Sequence, residues 1–455
     1  MLFGRKSDER SPWAGIALDM LECIRVHFHK TLMQLSDWRR EMKDNYDCVV
    51  IGGGPAGASA ATVVAESGRS TLLIERESMP RFHVGESLMP ETFWALERLG
   101  VNDRIRHQGW QVKKSVQFVT HKGTESDPFF FRQHDDRDCS DTWQVERSEF
   151  DKMLFDRAAE VGADTFDRTR LIDVLFDDEG NASGVVVKGP DGQQKEIACR
   201  VVIDGTGQQS FIANKLGLKQ VDPDLKKAAI WTYYKDAKRG EGDNAGATII
   251  LNTEDKQAWF WFIPLSRGIT SIGCVSDHEY LLKGRGSAEE VFREELSKCP
   301  GLMPRLEGAT QLGDIRVAKE FSYMTSQSSG SGWVLVGDAL GFIDPVYSSG
   351  VYFALEMGVR AGDAVVEGFE KADLSGEQLG GWIPEFKEGA GWVRKLVHAF
   401  YNKQFSIGRF MKEHPEHRGN VTNLLIGRVF QDGMGNVFED MDASIKRAEM
   451  SSMKA

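Results

Sequence analysis

The chain has no apolar run of about eighteen residues, the length a helix needs to cross a bilayer, so no membrane span is expected. It also lacks a basic excess: 56 Lys and Arg stand against 68 Asp and Glu, a formal net charge of −12. Phosphate recognition needs a concentrated cationic face, which excludes nucleic acid as the expected partner. The six cysteines, Cys23, Cys48, Cys139, Cys199, Cys274 and Cys299, include no pair at metal-ligand spacing. They read as reduced thiols of a cytoplasmic protein. The ten histidines are scattered as well. His27/His29 and His414/His417 are the close pairs, and neither has a cysteine or carboxylate pattern beside it, so no metal site is expected. Internal repeats and low-complexity tracts are absent. What remains is an ordinary globular composition, 41% hydrophobic and 27% charged, in a length of 455 residues that can bury a large core.

The first 42 residues place apolar side chains at helical spacing, from Trp13 to Leu21 and from Cys23 to Phe28. Acids interrupt them and no basic head precedes a clean apolar core, so they do not read as a signal peptide. They form either a helix packed on the body or an extension upstream of a start at Met42.

Glycine is plentiful, 47 residues, and it clusters where backbone must approach something closely. Asp47-Cys-Val-Val-Ile51 reads as a strand, Gly52-Gly-Gly-Pro-Ala56-Gly57 as a tight loop, Ala58 to Ala65 as a helix, and Ser70-Thr-Leu-Leu-Ile-Glu75 as a second strand. This is a βαβ unit with its glycine loop where a dinucleotide needs it. Gly52 permits the turn, Gly54 admits a pyrophosphate, and Gly57 lets helix and strand pack closely. The pyrophosphate sits against free N–H groups at the helix N-terminus. Glu75, followed by Arg76, stands where a strand-end carboxylate accepts ribose hydroxyls. Two later strands also end in glycine–acid turns, Val201-Val-Ile-Asp204-Gly-Thr-Gly and Trp333-Val-Leu-Val-Gly337-Asp338. Strand ends of one parallel sheet converge on one edge, so all three turns can meet a single extended cofactor.

Between these landmarks, residues 110–145 and 215–320 are rich in strand signals and suggest an inserted antiparallel sheet. Within them lies Trp259-Phe-Trp261-Phe-Ile263-Pro264. Residues two apart on a strand share a face, so the tryptophans build one wall, and Pro264 ends the ladder. From about residue 376 onward the pattern is helical, including Trp392 to Tyr401 and the stretch from Leu424 to Phe430.

With these residues in place, the chain resembles the FAD monooxygenases of the para-hydroxybenzoate hydroxylase type and, within them, the flavin-dependent halogenases, over roughly residues 45–435. The resemblance implies that Gly52, Gly54, Ala56 and Gly57 hold the FAD pyrophosphate, and that Glu75 and Arg76 flank the adenosine ribose. It places Arg147 near the diphosphate and Asp338 on the ribityl chain, with Asp204, Gly337, Pro345 and Gly350 completing the cofactor frame. Trp259, Trp261, Ile263 and Pro264 match every fixed position of the family's WxWxIP motif, thought to keep substrate from the flavin. Gly85-Glu-Ser-Leu-Met-Pro90 resembles a loop beside the flavin. Lys113 matches the family's lysine, with Lys114 the runner-up; on a strand only one of the two can face inward. Ser349 and Gly350 match the halide step, which also reads as an ordinary Ser N-cap. The tryptophan halogenases carry a glutamate just before that step where this chain has Tyr347, which favours an electron-rich substrate, a phenol or pyrrole.

The fold this implies is α/β: a Rossmann-like FAD-binding domain with an inserted antiparallel sheet and a helical C-terminal region. The division runs as follows: residues 1–42 an N-terminal helical extension; 43–110, 145–215 and 320–375 the FAD-binding domain; 111–144 with 216–319 the substrate-side sheet; 376–455 the helical region. The activity implied uses reduced FAD, dioxygen and a halide ion to make hypohalous acid, which Lys113 captures or steers to an aromatic substrate, free or carrier-bound. No second dinucleotide loop is present for a nicotinamide, so a separate flavin reductase is the expected partner. A geranylgeranyl reductase-like activity, an aromatic hydroxylase and a non-catalytic flavin-binding protein are the alternatives.

Overall fold

The computed structural model describes residues 41–452. The expected N-terminal extension therefore lies outside the described residues, save Glu41 and the buried Met42.

Apolar β-branched residues dominate Asn45–Ile51, and this strand is the centre of a parallel sheet. It pairs with Gln194–Asp204 on one side and Thr71–Ile74 on the other. Trp333–Leu335 extends the first flank and Asp164–Phe166 the second, both parallel. An antiparallel excursion, Arg170–Phe176 and Ala182–Lys188, adds to the Gln194–Asp204 strand. Val49, Val50, Val202 and Ile203 are wholly buried, as expected of strands covered on both faces. Helix Pro55–Glu66 covers the sheet, and helix Gly350–Lys371 crosses it at close range. A Cβ at Gly358 would stand 2.3 Å from the Ala56 carbonyl oxygen, so the absence of side chains there allows the crossing. That contact fixes the start of the second helix relative to the first, which matters for the site.

The second sheet runs in the order Gly341–Phe342, Thr310–Thr325, Lys219–Lys235, Ile269–Asp277, Ala258–Pro264, Thr248–Asn252, Ser115–Val119, Phe129–Phe130. Its pairings are antiparallel with one exception: Thr248–Asn252 lies parallel to Ser115–Val119. Strand periodicity carries no direction, so this pairing across a long connection was not readable from sequence. The Ala258–Pro264 strand alternates as anticipated. Trp259, Trp261 and Ile263 join the core shared with the parallel sheet, whereas Phe260 and Phe262 join a separate core beneath helix Ala288–Ser297.

A third, two-stranded sheet pairs Gln111–Lys113 with Thr142–Gln144, setting Lys113 opposite Thr142. The C-terminal part is helical: Ile383–Tyr401, Ile407–Glu413, Arg418–Ile426 and Val437–Ser452. The helix expected across residues 424–430 stops at Ile426. Gly427 adopts φ +96°, a left-handed cap that only glycine takes without strain.

Candidate active site

One cleft runs along the carboxyl edge of the parallel sheet and ends against the tryptophan wall. It is lined by Gly52, Gly54, Ala56, Glu75, Arg76, Arg147, Gly337, Asp338, Pro345 and Gly350 together with Trp259 and Trp261. Gly52 has φ +104°, and a Cβ there would lie 2.2 Å from the Gly205 carbonyl oxygen. A Cβ on Gly57 would lie 2.0 Å from the Gly52 carbonyl oxygen; Gly57 does not face the cleft but lets the helix start this close to it. Helix Pro55–Glu66 begins at Gly54 with no side-chain cap and no acid in its first turn, leaving its N–H groups free for an anion.

Glu75 closes this end. Its carboxylate accepts from the Gly53 and Glu77 N–H groups, each at 3.0 Å. Arg76 donates to Gln209 at 3.1 Å. Two arginines share one buried acid: Arg81 donates to Asp151 at 2.8 Å, and Arg147 donates to it at 2.8 and 3.0 Å. Burial pushes the Asp151 carboxyl up, but Arg147 and Arg81 outweigh it and hold the group below its usual range. Arg81 and Asp151 were not anticipated; an arginine in the loop that precedes Gly85 is a signal that could have pointed to the first. Asp338 is driven by burial up to about 6, against the pull of Arg147 and Lys219.

Asp204 does not line the cleft. Its carboxylate accepts from Thr206 N at 3.0 Å and Ile212 N at 2.7 Å, which shapes the turn and leaves Gly205, Thr206 and Gly207 facing the cofactor space. The glycine cradle that any Cβ would fill, the open helix N-terminus, the cleft arginines Arg81 and Arg147 on Asp151, and the buried strand-end acids fit FAD.

The far wall is aromatic. Trp259 donates through Nε1 to the Tyr401 hydroxyl at 3.0 Å, and Tyr401 donates to Asp344 at 2.9 Å. Trp261 donates to Ser271 at 3.1 Å. The two rings lie 6.4 Å apart, with Trp231 6.4 Å from Trp261 and Phe400 5.9 Å from Trp259. Trp259 and Trp261 are both buried, at 4% and 8% exposure.

Lys113 is 3% exposed and lies just outside the cleft lining. Its Nζ donates to Ser87 Oγ and to the Leu88 carbonyl, both at 2.9 Å, and stands 5.6 Å from the Phe131 ring centroid. Burial alone lowers it from an ordinary 10.5 to about 7. Lys114 points to solvent and pairs with Asp243 at 2.7 Å, so the two neighbours face opposite ways.

Ser349 is the N-cap of the 22-residue helix Gly350–Lys371, yet its side chain makes no capping bond. A Cβ on Gly350 would meet nothing within 4 Å. Ser349 and Gly350 line a small cavity with Phe353, Met357 and Phe386, and Gly350 also faces the main cleft. Ser348, at φ +58°, turns the chain into this start. Tyr347 is buried, donates to the Leu396 carbonyl at 3.4 Å, and packs 6.1 Å from Phe400. Asp344 accepts from Val346 N at 3.0 Å, and burial raises it to about 6.

One expectation needs correcting. His414 and His417 do have carboxylates beside them: His414 meets Glu416 at 3.1 Å, and His417 meets Asp440 at 2.8 Å. Asp440 comes from the C-terminal helix, 23 residues on, which local spacing could not reveal. A second acidic group, Glu91, Asp135 and Cys139, is already engaged by Arg137 and Arg428. The five described cysteines are all free and buried. Among the described residues no helix is long and apolar enough to cross a membrane.

Comparison with known proteins agrees with this geometry. The FAD binding domain family matches residues 45–360. The chain is 28% identical over 426 residues to a 1H-pyrrole-2-carbonyl-[peptidyl-carrier protein] chlorinase of Pseudomonas fluorescens, covering 89% of this chain and 94% of that protein. It is 33% identical over 374 residues to the sulochrin halogenase gedL of Aspergillus terreus, covering 77% and 68%. Among solved structures, the flavin-dependent brominase Bmp2 superposes with a TM-score of 0.79 at 28% identity, over 90% of this chain and 100% of that one. The chain belongs to the FAD-binding domain family and is one of its flavin-dependent halogenases, an FAD-dependent enzyme that halogenates aromatic rings.

Proposed function

We propose that this enzyme halogenates an electron-rich ring, a pyrrole or phenol presented on a carrier protein, and receives reduced FAD from a separate flavin reductase. The observation that carries the reading is Lys113: a buried amine without an acid partner, one hydrogen bond away from Ser87 in the lining of the cofactor cleft. Two relatives support the carrier, since their names specify a pyrrole-2-carbonyl group on a peptidyl carrier protein.

The residues then divide the work. Gly52, Gly54 and Ala56 hold the diphosphate of FAD, Gly57 acts behind them by letting the helix start pack against Gly52, Arg147 neutralises the diphosphate, and Glu75 and Arg76 hold the ribose end. Gly337, Asp338, Pro345 and Gly350 border the flavin end. Bound in reduced form, FAD supplies the electrons with which dioxygen oxidises halide to hypohalous acid. The open N–H groups of the step from Ser349 to Gly350 hold chloride or bromide at the positive end of the helix. Trp259 and Trp261 separate substrate from flavin and exclude water, so hypohalous acid moves to Lys113 rather than escaping. Lys113, poised near neutrality, captures or steers it to the ring. At the position before the halide step stands the buried neutral phenol of Tyr347 rather than a carboxylate, so the ring itself supplies the electron density.

Opening the wall tests the exclusion. Trp259→Ala removes a buried ring and is expected to cost about 3–5 kcal/mol of stability. The same variant releases hypohalous acid, read with a chlorination-sensitive trap in solution, and its halogenated product falls relative to dioxygen consumed. A variant as tightly coupled as the parent contradicts the blocking role.

The pH dependence has a defined sign. Lys113 titrates near 7 when folded and near 10.5 when unfolded, so between these values the unfolded chain binds more protons. This group therefore makes the fold more stable as pH rises from about 7 to about 10.5, and penalises it fully below that window. Halogenation that needs the free amine rises through pH 7, whereas a profile flat from pH 6 to 8 rules out a titrating Lys113 in the rate-limiting step.

A further inference from the structure

The lysine is sealed from solvent, yet an amine that meets hypohalous acid must first shed a proton. Its nearest polar neighbours form a chain. Ser87 Oγ accepts from Lys113 Nζ at 2.9 Å and lies 2.8 Å from Thr248 Oγ1. Gln144 Nε2 donates to that same Thr248 oxygen at 2.8 Å and to the Gly246 carbonyl at 3.0 Å. Ser87 and Thr248 both line the cofactor cleft; Lys113 and Gln144 do not. All four side chains are buried, and two come from the paired strands Gln111–Lys113 and Thr142–Gln144.

We propose that the Ser87 and Thr248 hydroxyls form a two-link proton wire joining Lys113 to the cofactor cleft, with Gln144 as the residue that positions it. The inference rests on the reading of Lys113 as the amine that meets hypohalous acid. Gln144 holds one lone pair of Thr248, so the threonine's hydrogen points either to Ser87 or to the cleft. With an ammonium at Nζ, the hydrogens run from Lys113 to Ser87, to Thr248 and on to the cleft. With a free amine, the lone pair of Nζ accepts from Ser87, Ser87 accepts from Thr248, and the order reverses. The two orders differ by one proton delivered to the cleft. The amine so formed attacks the halogen of hypohalous acid: the N–halogen bond forms, the O–halogen bond breaks, and the departing hydroxide takes a proton from nitrogen as water. Transfer of the halogen to the ring exchanges it for the ring proton and restores the amine.

No other ionisable side chain makes a hydrogen bond to this amine among the described residues. Residues 87–88 offer a hydroxyl and a carbonyl, Phe131 offers its ring, and the facing strand offers Thr142 and Gln144. Lys114 is paired with Asp243 and Arg132 with Asp141 on the solvent side. The hydroxyl pair is thus the polar path left from the amine to the cleft.

Thr248→Val removes the hydroxyl at nearly constant shape and breaks the wire, while Thr248→Ser keeps it. In full-length enzyme with reduced FAD and halide, Thr248→Val is expected to lower kcat by about 10²-fold, the scale of a lost positioned proton transfer. KM for halide stays unchanged, the limb of the pH profile near 7 disappears, and Thr248→Ser rescues both rate and profile. Ser87→Ala breaks the wire one link earlier and gives the same result in a second variant; FAD binding, followed by flavin fluorescence, reports that each is folded. The wire is overturned if Thr248→Val keeps the parent rate and profile, or if Thr248→Ser loses as much as Thr248→Val. Failure of the underlying reading looks different: there Lys113→Met itself still halogenates.

Discussion

Lys113→Met lowers halogenation by about 10²–10⁴-fold, the contribution typical of a positioned acid–base group, while FAD binding stays at the parent level. Methionine matches the lysine stem in length, so the packing against Phe131 survives and only the nitrogen is lost. The amine sits outside the cofactor cleft, which is why the cofactor is indifferent to its removal. The Leu88 carbonyl loses its donor, a cost of about 1–3 kcal/mol that a denaturation curve reads separately from activity. Lys114→Met is the matched control, because Lys114 faces solvent and meets only Asp243. Product is measured by mass spectrometry under reduced FAD, dioxygen and bromide. Equal loss in both variants, or no loss at Lys113, removes the lysine from the reaction.

Gly57→Ala is expected to have the other large effect, on the cofactor itself. Its new methyl would stand 2.0 Å from the Gly52 carbonyl oxygen, backbone against backbone, so the strand and the helix must separate. Overpacking of this kind costs about 1–3 kcal/mol, equivalent to about 5- to 150-fold in affinity when the distortion falls on the pyrophosphate cradle. Both the melting temperature and FAD affinity drop. Gly54→Ala separates the two effects: its methyl meets only the tip of Arg81 at 3.4 Å, so the apo fold tolerates it and FAD affinity alone falls. Calorimetric titration with FAD beside thermal melts distinguishes the cases. A Gly57→Ala variant with unchanged affinity contradicts the cradle geometry.

Much of this site was legible because its signals are local. The glycines of the loop, the strand-end acids and the alternation of Trp259 and Trp261 each depend on neighbours a few residues away. The same alternation required Lys113 and Lys114 to face opposite ways, while the choice of Lys113 came from the family resemblance. What stayed hidden depends on distant contacts. Ser87 and Thr248 are 161 residues apart and meet beside Gln144, which bridges to Ser87 through its backbone and donates to Thr248 through its side chain. Asp151 looked like any helix acid until the fold set Arg81 against it from 70 residues away. Asp204 read as part of the cofactor frame from its glycine–acid turn, but two backbone N–H groups, of Thr206 and Ile212, claim its carboxylate. The end of the helix at Ile426 shows the converse: an apolar run suggested continuation, and one glycine stopped it.

The most direct test of the central claim uses a pyrrole-2-carboxyl thioester loaded on a carrier protein. Enzyme, carrier, a flavin reductase with FAD and NADH, dioxygen and chloride or bromide are combined, and the intact carrier is weighed by mass spectrometry with and without halide. The account predicts halogen on the ring only when halide is present, and none with Lys113→Met. A hydroxylated or reduced product formed without halide, or halogenation that survives loss of Lys113, would contradict it.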